Sequence, residues 1–380
     1  MFRIYPLILL ILIVCACTSE PGKVDKLQED GVEVIINHRE PYERQGEKTR
    51  FTLEEIFTID TEREDLTKFG FSDIHSFDLD LEDNIYCLDQ RSKTDVIFKF
   101  DSRGQYLMSF ARKGQGPGEL QIPFSLRIVS NDTLSVTDIL KKILVFNTDG
   151  TLKKEMPIDT NFVIVNPLGN GNYCIFWKGG ADTDNRFFQE KLSIFNSRFK
   201  EIKLLDVLKI KKVSEGVSGI DPLLFWRITN KRIFVGNEQR GYKILVFDFE
   251  GKLIKKIVKE YEPVDIPEEL KREILSTIPD ESPLKANIVF PDHFAPFRSF
   301  FTDDEGRLYV VTYESGLNHL DSVCDIFNAE GAFIGRGSLP LIKQGAPFAA
   351  PAIMKNSRLY CLQEKDTGFK MLKAYSVRWE

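Results

Sequence analysis

Short apolar runs separated by turn residues characterise residues 77–120. Four such runs, rich in Ile, Phe, Tyr and Val, are separated by turns at Asp83-Asn84, at Ser92-Lys93 and around Gly104. Runs of this length between Asn, Asp and Gly residues are typical of antiparallel β-strands. The pattern therefore predicts a unit of four antiparallel strands, and the same unit recurs along the chain.

Two sequence marks define the recurring unit. The first is an acidic or Asn turn followed by a branched residue and an aromatic, as in Asn84-Ile85-Tyr86. The second is an aromatic followed by Asp or Asn and a short turn that ends in Gly, as in Phe100-Asp101 with Gly104. Copies of the second mark begin at Phe100, Phe146, Phe195, Phe247, Phe327 and Tyr375. In the third copy Phe199 stands at the Gly position, and the last copy lacks the turn.

The copies lie about 50 residues apart, except between Phe247 and Phe327, where about 30 more residues are present. A period in this range with four strands per unit is typical of β-propeller blades. One blade cannot bury both of its faces, whereas a ring of blades buries them against each other. We therefore predict an all-β fold over residues 51–380, a six-bladed β-propeller of four-stranded antiparallel blades. A β-sandwich or two small β domains would also fit regular strand spacing, but six in-register copies favour the propeller.

One strand at each end of the chain bears on how this ring closes. Residues 51–60 form a strand pattern that precedes the first full unit, and residues 350–380 leave room for three strands. A blade that is one strand short would expose a sheet edge. We therefore predict that residues 51–60 supply the fourth strand of the last blade.

The extra residues between the fourth and fifth units contain a helical pattern. Apolar residues recur every four positions at Ile266, Leu270, Ile274 and Ile278. Pro267 suits the start of a helix. We predict one amphipathic helix of about three turns, in an insertion spanning about residues 262–296, with its apolar side capping a blade end. The alternative is that this side faces a partner.

The N-terminus resembles a bacterial lipoprotein signal. Arg3 precedes an apolar run over residues 4–16, which is too short for a membrane span and ends in Ala16-Cys17. We predict a signal peptide over residues 1–16 and lipidation at Cys17. Residues 17–50 then form a tether with one strand candidate at 32–36. The alternative is an ordinary secretory signal in which Cys17 has no role.

The net charge and the cysteine positions indicate which ligands and cross-links to expect. The net charge of −6 gives no footprint for nucleic-acid binding. Cys87, Cys174 and Cys361 occupy the same repeat position in different units, where equivalent residues lie too far apart for a disulfide. We predict that these three thiols and Cys324 are free. No CxxC spacing suggests a metal site.

The motif Gly-Gln-Gly-Pro-Gly-Glu at residues 114–119 ends the first unit. No helix pattern follows it, so we interpret it as a tight crossing between blades and not as a phosphate-binding loop. Together with the Phe-Asp-x-x-Gly turn, the lipoprotein signal and the N-terminal strand, it resembles the six-bladed β-propeller lipoproteins of Bacteroidetes, relatives of the NHL-repeat propellers. The resemblance covers about residues 50–380. It implies the propeller fold and a lipid-anchored location on the outer membrane, facing the periplasm or the surface, and it supplies no catalytic residues.

The first strands of propeller blades line a central channel, which makes polar residues near those strands candidate ligand-binding groups. The candidates are His75, Arg127, Arg227, His293 and Arg298. The scattered carboxylates show no spacing that predicts a metal site, and no Ser, His and Asp set stands in a nucleophile context.

The sequence therefore predicts a membrane-anchored extracytoplasmic binding module without catalytic residues or a cofactor. Its predicted partners are the membrane, through the N-terminal lipid, and a glycan, peptide or protein ligand. The alternative is a propeller hydrolase or lyase that uses Ca²⁺ or Zn²⁺ in the channel. A third interpretation is a purely structural envelope protein. Metal analysis of the purified protein separates the first two.

Overall fold

The computed structural model describes residues 24–42, 46–130, 132–159, 161–181, 186–211, 217–282, 285–315, 322–341 and 352–380. Three strands precede the repeats: β1 (Val24–Glu29), β2 (Val32–Asn37) and β3 (Phe51–Asp60). After the short helix α1 (Glu64–Thr67), blade 1 contains β4 (Ser76–Leu79), β5 (Ile85–Leu88), β6 (Asp95–Phe100) and β7 (Tyr106–Arg112). Blade 2 contains β8 (Pro123–Ser130), β9 (Thr133–Asp138), β10 (Lys142–Asn147) and β11 (Leu152–Pro157). Blade 3 contains β12 (Phe162–Pro167), β13 (Tyr173–Ala181), β14 (Phe187–Phe195) and β15 (Glu201–Lys211).

The second half of the ring follows the two-residue strand β16 (Val217–Ser218). Blade 4 contains β17 (Leu224–Thr229), β18 (Arg232–Asn237), β19 (Lys243–Phe247) and β20 (Leu253–Lys259). An insertion with helix α2 (Glu268–Ser276) and strand β21 (Ile288–Val289) comes next. Blade 5 contains β22 (Ser299–Thr302), β23 (Leu308–Ser315), β24 (Ser322–Phe327) and β25 (Phe333–Leu339). Blade 6 contains β26 (Ala352–Lys355), β27 (Arg358–Glu364), β28 (Lys370–Trp379) and the N-terminal strand β3. The chain is thus a six-bladed β-propeller of four-stranded antiparallel blades, as the repeats predict.

The recurring aromatic occupies the same structural position in all six blades. Each copy lies on the third strand, at a shift in the pairing with the fourth strand. These aromatics are Phe100, Phe146, Phe195, Phe247, Phe327 and Tyr375. Such β-bulges increase the local strand twist, and their repetition keeps the blades in register.

The glycine that follows this aromatic is required for two reasons in blade 1. The Asp101 carboxylate accepts hydrogen bonds from the backbone N–H groups of Arg103 (2.9 Å) and Gln105 (2.8 Å), which fixes a tight turn. Gly104 lies in this turn at φ +76°. A Cβ atom at Gly104 would also lie 2.5 Å from the Phe57 ring of blade 6. The turn residue therefore sets how closely neighbouring blades approach.

The predicted closure of the ring is confirmed. β3 pairs antiparallel with β28, from Phe51 opposite Trp379 to Asp60 opposite Met371. Ile59 of β3 is fully buried, in a cluster that includes Phe98 of blade 1. Strand β3 and the three C-terminal strands thus form one blade.

The prediction that residues 17–50 are a tether is wrong for residues 24–37. The strand candidate at 32–36 is present as β2, and with β1 it forms a hairpin on the outer edge of blade 4, where β2 runs parallel to β20. Val34 and Ile35 are buried by this pairing. β1 was missed because it lies at the sheet edge with mostly exposed side chains, so its sequence shows no apolar alternation.

The predicted helix is present between blades 4 and 5 as α2, and Pro267 directly precedes its first residue. Leu270 and Ile274 are half-buried, and Ile266 just before the helix is buried. β21 in the same insertion pairs with β16, which ties the insertion to the connection between blades 3 and 4. Within the described residues, neither helix is long and apolar enough to cross a membrane.

The four cysteines of the described residues are free and buried. Cys87, Cys174 and Cys361 lie on second strands, whereas Cys324 lies on a third strand. Burial raises the pKa of each thiol well above its usual value, which makes the thiolate form unfavourable. These residues act as small apolar side chains of the core.

Candidate functional site

The propeller has two faces, which differ in the loops that they carry. The strands of a blade are antiparallel. One face of the propeller therefore carries the starts of the first and third strands and the ends of the second and fourth strands. We call this the cleft face, since a cleft between the ends of blades 3, 4 and 5 opens on it. The opposite face carries the turns between first and second and between third and fourth strands, and we call it the turn face.

Arg127 lies in the central channel and connects three blades. Its guanidinium donates to the carbonyl oxygen of Ile228 in blade 4 (3.2 Å) and lies 3.7 Å from the Asp78 carboxylate in blade 1. The same carboxylate accepts a hydrogen bond from the backbone N–H of Ile128 (2.9 Å). This arrangement ties the inner strands together. Arg127 also lines a cavity of about 650 Å³ on the turn face.

Arg227 is buried, whereas a side chain that lines an open channel would be exposed to solvent. Its guanidinium donates to the carbonyl oxygen of Trp226 (2.7 Å) and lies 5.9 Å from the centre of the Phe300 ring in blade 5. Burial, and secondarily the charge of Arg127, lowers its pKa to about 9. The group therefore stays charged at neutral pH and packs between the inner strands of blades 4 and 5.

His75 and Arg298 occupy equivalent positions, immediately before the first strands of blades 1 and 5. The His75 ring packs 5.3 Å from the ring of Phe124, and burial lowers its pKa. Arg298 donates to the Ser322 hydroxyl (2.6 Å), and burial lowers its pKa as well. The two side chains lie at the cleft-face end of the channel, but they contact different residues.

His293 lies on the insertion and lines the cleft. Its Nδ1 atom is 2.7 Å from the Asp265 carboxylate, and both side chains are exposed. The five candidate residues therefore do not form one site. Across the part of the chain that the structure describes, no group of three or more His, Cys, Asp or Glu residues is placed to hold a metal ion.

The cleft is a cavity of about 600 Å³ between the ends of blades 3, 4 and 5 and the insertion. Its walls are mostly apolar and aromatic, and the wall residues used below are Phe187, Tyr261, Phe290, Phe294 and Tyr313. The rings of Phe294 and Tyr313 stack almost parallel, with centroids 4.3 Å apart and an interplanar angle of 6°. Lys209, Lys211 and Gln239 also line it. A cavity of this size and lining is typical of ligand sites.

Glu238 is the buried carboxyl group of this cleft. It directly follows β18, and its side chain accepts a hydrogen bond from the backbone N–H of Leu223 (2.7 Å). Its other oxygen lies 3.5 Å from the Tyr313 hydroxyl, which is a long contact. Glu238 is 8% exposed although it lines the cavity. The local fold thus holds a carboxyl group in a largely apolar wall.

Burial raises the pKa of Glu238 to about 8, against the opposing hydrogen bonds from Leu223 and Tyr313. The carboxyl is therefore mostly protonated at neutral pH, and it can donate a hydrogen bond as well as accept one. Burial likewise raises the pKa of Asp221, another cleft residue. Perturbed carboxyl groups in a concave apolar site are a physical marker of function.

The sequence analysis did not identify Glu238 or Tyr313. Both residues lie at the ends of second strands, in corresponding parts of blades 4 and 5, and the fold alone brings these two strand ends together. The available signal was the acidic residue directly after the strand at 232–237, in a turn between second and third strands. His293 was predicted near the central channel, whereas the structure places it at the cleft.

The motif at residues 114–119 fills its own loop. The Glu119 carboxylate accepts a hydrogen bond from the backbone N–H of Gly116 (2.9 Å), and a Cβ at Gly114 would lie 2.0 Å from the same carboxylate. Gly118 takes φ +74° and donates to Glu155 of blade 2. The Glu119 carboxylate therefore already binds the backbone N–H group that a bound phosphate would need. The loop is a crossing between blades.

Residues 59–214, which span blades 1 to 3, match the model of a protein family described as 6-bladed beta-propeller. Among curated proteins, none matches this sequence. A similar solved structure is that of Raptor from Chaetomium thermophilum, with 12% sequence identity and a TM-score of 0.45. That similarity covers 87% of this chain and 30% of the Raptor chain. The strand pairing makes the chain a six-bladed β-propeller, and its residues 59–214 are similar in sequence to the propeller family of that description.

Proposed function

We propose that this protein is a binding module of the cell envelope, anchored to the outer membrane through Cys17, and that its ligand occupies the cleft. The observation that carries the proposal is the buried, largely protonated carboxyl of Glu238 in an aromatic-lined cavity of about 600 Å³. Burying such a group is costly unless a partner offsets it. A ligand that supplies a hydrogen-bond acceptor would offset that cost.

The lining favours a peptide over a glycan. Tyr261, Phe290 and Phe294 together with several prolines provide broad apolar walls, which match an aliphatic or aromatic side chain. A peptide carbonyl next to that side chain is a suitable acceptor for the Glu238 O–H group. A sugar presents hydroxyl groups on most sides and would leave many of them facing apolar walls.

Parallel screens of a random-peptide library and a glycan array with the purified protein test this proposal. We expect peptides with a large apolar side chain to bind, and we expect Phe294→Ala to weaken binding at least tenfold, because it removes one wall. Asn170→Ala, in the cavity on the turn face, is the matched control and should bind normally. Glycans that bind in a Phe294-dependent way would overturn the peptide assignment. Ligands that ignore the Phe294 substitution would overturn the cleft as the site.

The anchor is tested separately. Cys17→Ser should release the protein from the membrane fraction or leave it unprocessed with its apolar segment attached. Cys15→Ser should change neither processing nor location, because Val14 precedes Cys15 whereas the small Ala16 precedes Cys17. Mature Cys17→Ser protein that stays on membranes after a carbonate wash would show that Cys17 does not carry the anchor.

A further inference from the structure

The loops of the cleft face carry more exposed large apolar side chains than the turns of the opposite face. On the cleft face these residues, besides Phe188 at the end of blade 3, are Phe69, Ile122, Ile139, Leu140, Val289 and Phe369. At the opposite face, Leu81 is the exposed large apolar residue of the described turns, and Leu107, Leu152 and Ile202 are exposed where outer strands begin. Scattered apolar residues are normal on a protein surface, whereas a concentration on one face indicates an interaction.

The exposed residues of the cleft face come from several blades. Ile139 and Leu140 form the turn between the second and third strands of blade 2, and Phe369 is in the equivalent loop of blade 6. Phe69 lies in the connection from blade 6 to blade 1, and Val289 lies in the insertion, where it is 66% exposed. They are therefore spread around the face and do not form one pocket.

The described chain also begins on this face. Val24 pairs with Asn37, and Asn37 pairs with Lys259 at the end of β20. β20 is the fourth strand of blade 4, so its end lies on the cleft face. Tyr261, two residues further, lines the cleft itself.

The link from Cys17 to Val24 is short. Seven Cα-to-Cα steps separate the two residues, and a fully extended chain of that length spans about 25 Å at most. A blade strand of six or seven residues is itself about 20 Å long. If the turn face met the bilayer, most of the link would be needed to pass along the blade. If the cleft face met the bilayer, the link would join Val24 to the lipid without passing along a blade.

We infer that the cleft face docks on the lipid surface, so that the cleft opens toward the membrane. This inference rests on the anchor at Cys17 that is proposed above. Exposed Lys141 adjoins Leu140, and such a pair places an apolar side chain in the lipid and an ammonium group at the level of the lipid headgroups. The ligand of the cleft is then a peptide segment presented at the membrane surface.

Single-cysteine labelling of the reconstituted full-length lipoprotein tests the orientation. Leu140→Cys and Phe369→Cys place a label on the cleft face, and Leu81→Cys is the matched control on the turn face. Each is labelled in the folded state with the environment-sensitive fluorophore NBD, which the four buried native thiols should not take up. The variants are then bound to vesicles of phosphatidylethanolamine and phosphatidylglycerol and separated by flotation.

We expect a blue shift and at least a twofold gain in NBD emission for the two cleft-face labels and no change for the Leu81→Cys label. Floating protein with unchanged cleft-face labels, or with equal changes on both faces, would overturn the docking inference while leaving the anchor intact. Protein that does not float would refute the Cys17 anchor. In that case the labelled chains are attached to nickel-chelating vesicles through a histidine tag placed at residue 17, and the same comparison of the two faces decides the docking.

Discussion

The side chain of Asn37 accepts a hydrogen bond from the backbone N–H of Phe333 at 2.7 Å. Its amide nitrogen donates to the carbonyl oxygens of Gly331 (3.0 Å) and Val258 (3.1 Å). Asn37 is fully buried. One side chain of the N-terminal hairpin therefore joins blade 4 to blade 5.

Asn37→Ala should destabilise the protein by about 1–3 kcal/mol or more, because it leaves buried backbone groups at Phe333 and Gly331 without a partner. Urea unfolding measures this change. Lys26→Ala is the control, since it removes an exposed ion pair between the same hairpin and Glu330 of blade 5. That pair should contribute at most about 1 kcal/mol. If the two substitutions destabilise the protein equally, the hydrogen bonds of Asn37 do not account for the attachment of the hairpin to blade 5.

A second prediction concerns the distance between blades. Gly104→Ala and Gly169→Ala both place alanine at a positive φ, at +76° and +78°, which costs about 1 kcal/mol. A Cβ at Gly104 would lie 2.5 Å from Phe57, whereas nothing lies within 4 Å of a Cβ at Gly169. Gly104→Ala should therefore cost about 1–3 kcal/mol more than Gly169→Ala. Thermal unfolding measures the stability of both variants. Equal losses of stability would show that blades 1 and 6 can move apart at Gly104 without a cost in free energy.

The blade repeat could be predicted from the sequence because its signals are local. Phe100, Asp101 and Gly104 encode a bulge, a capped turn and a positive φ within five residues, and most copies of this pattern lie about 50 residues apart. The closing strand β3 was also predictable, since the last blade lacked a strand. The repeat features depend on local backbone chemistry, which most copies share.

The cleft could not be predicted in the same way, because it depends on contacts between distant segments. Glu238 and Tyr313 lie 75 residues apart and meet through the packing of blades 4 and 5. The hairpin strand β1 was missed for a related reason, since a strand at a sheet edge needs no apolar alternation. What the sequence left open is therefore which distant segments meet once the blades are packed.

A third prediction concerns the titration of Glu238. Its pKa is about 8 in the folded protein and near 4.5 when exposed. The folded state therefore binds the proton more tightly, and stability should fall as the pH rises from about 4.5 to 8 and stay level above that. Glu238→Gln keeps an oxygen for the Leu223 N–H group but cannot ionise.

We expect Glu238→Gln to remove part of this decline, so that the substitution stabilises the protein at pH 8.5 relative to pH 5 by a few kcal/mol at most. Thermal unfolding of both proteins across pH 5–9 measures the difference. Parallel profiles for Glu238→Gln and the unsubstituted protein would contradict a raised pKa.

The last prediction concerns the closure of the ring by β3. Ile59 is fully buried between blades 6 and 1, whereas Ile56 on the same strand is 44% exposed. Ile59→Ala should cost about 2–5 kcal/mol, because it opens a cavity in the interface that closes the ring. Ile56→Ala should cost about 0.5 kcal/mol or less.

The comparison holds strand propensity and position in the chain nearly constant, so the difference reports burial in the closing interface. Limited proteolysis followed by mass spectrometry adds a structural readout. If β3 closes the ring, Ile59→Ala should expose cleavage sites in residues 51–60 before sites in blades 2 and 3 are cut, because opening begins where the first and last strands meet. Equal stabilities of the two variants, or first cleavage in blades 2 and 3, would mean that the ring is held closed without β3.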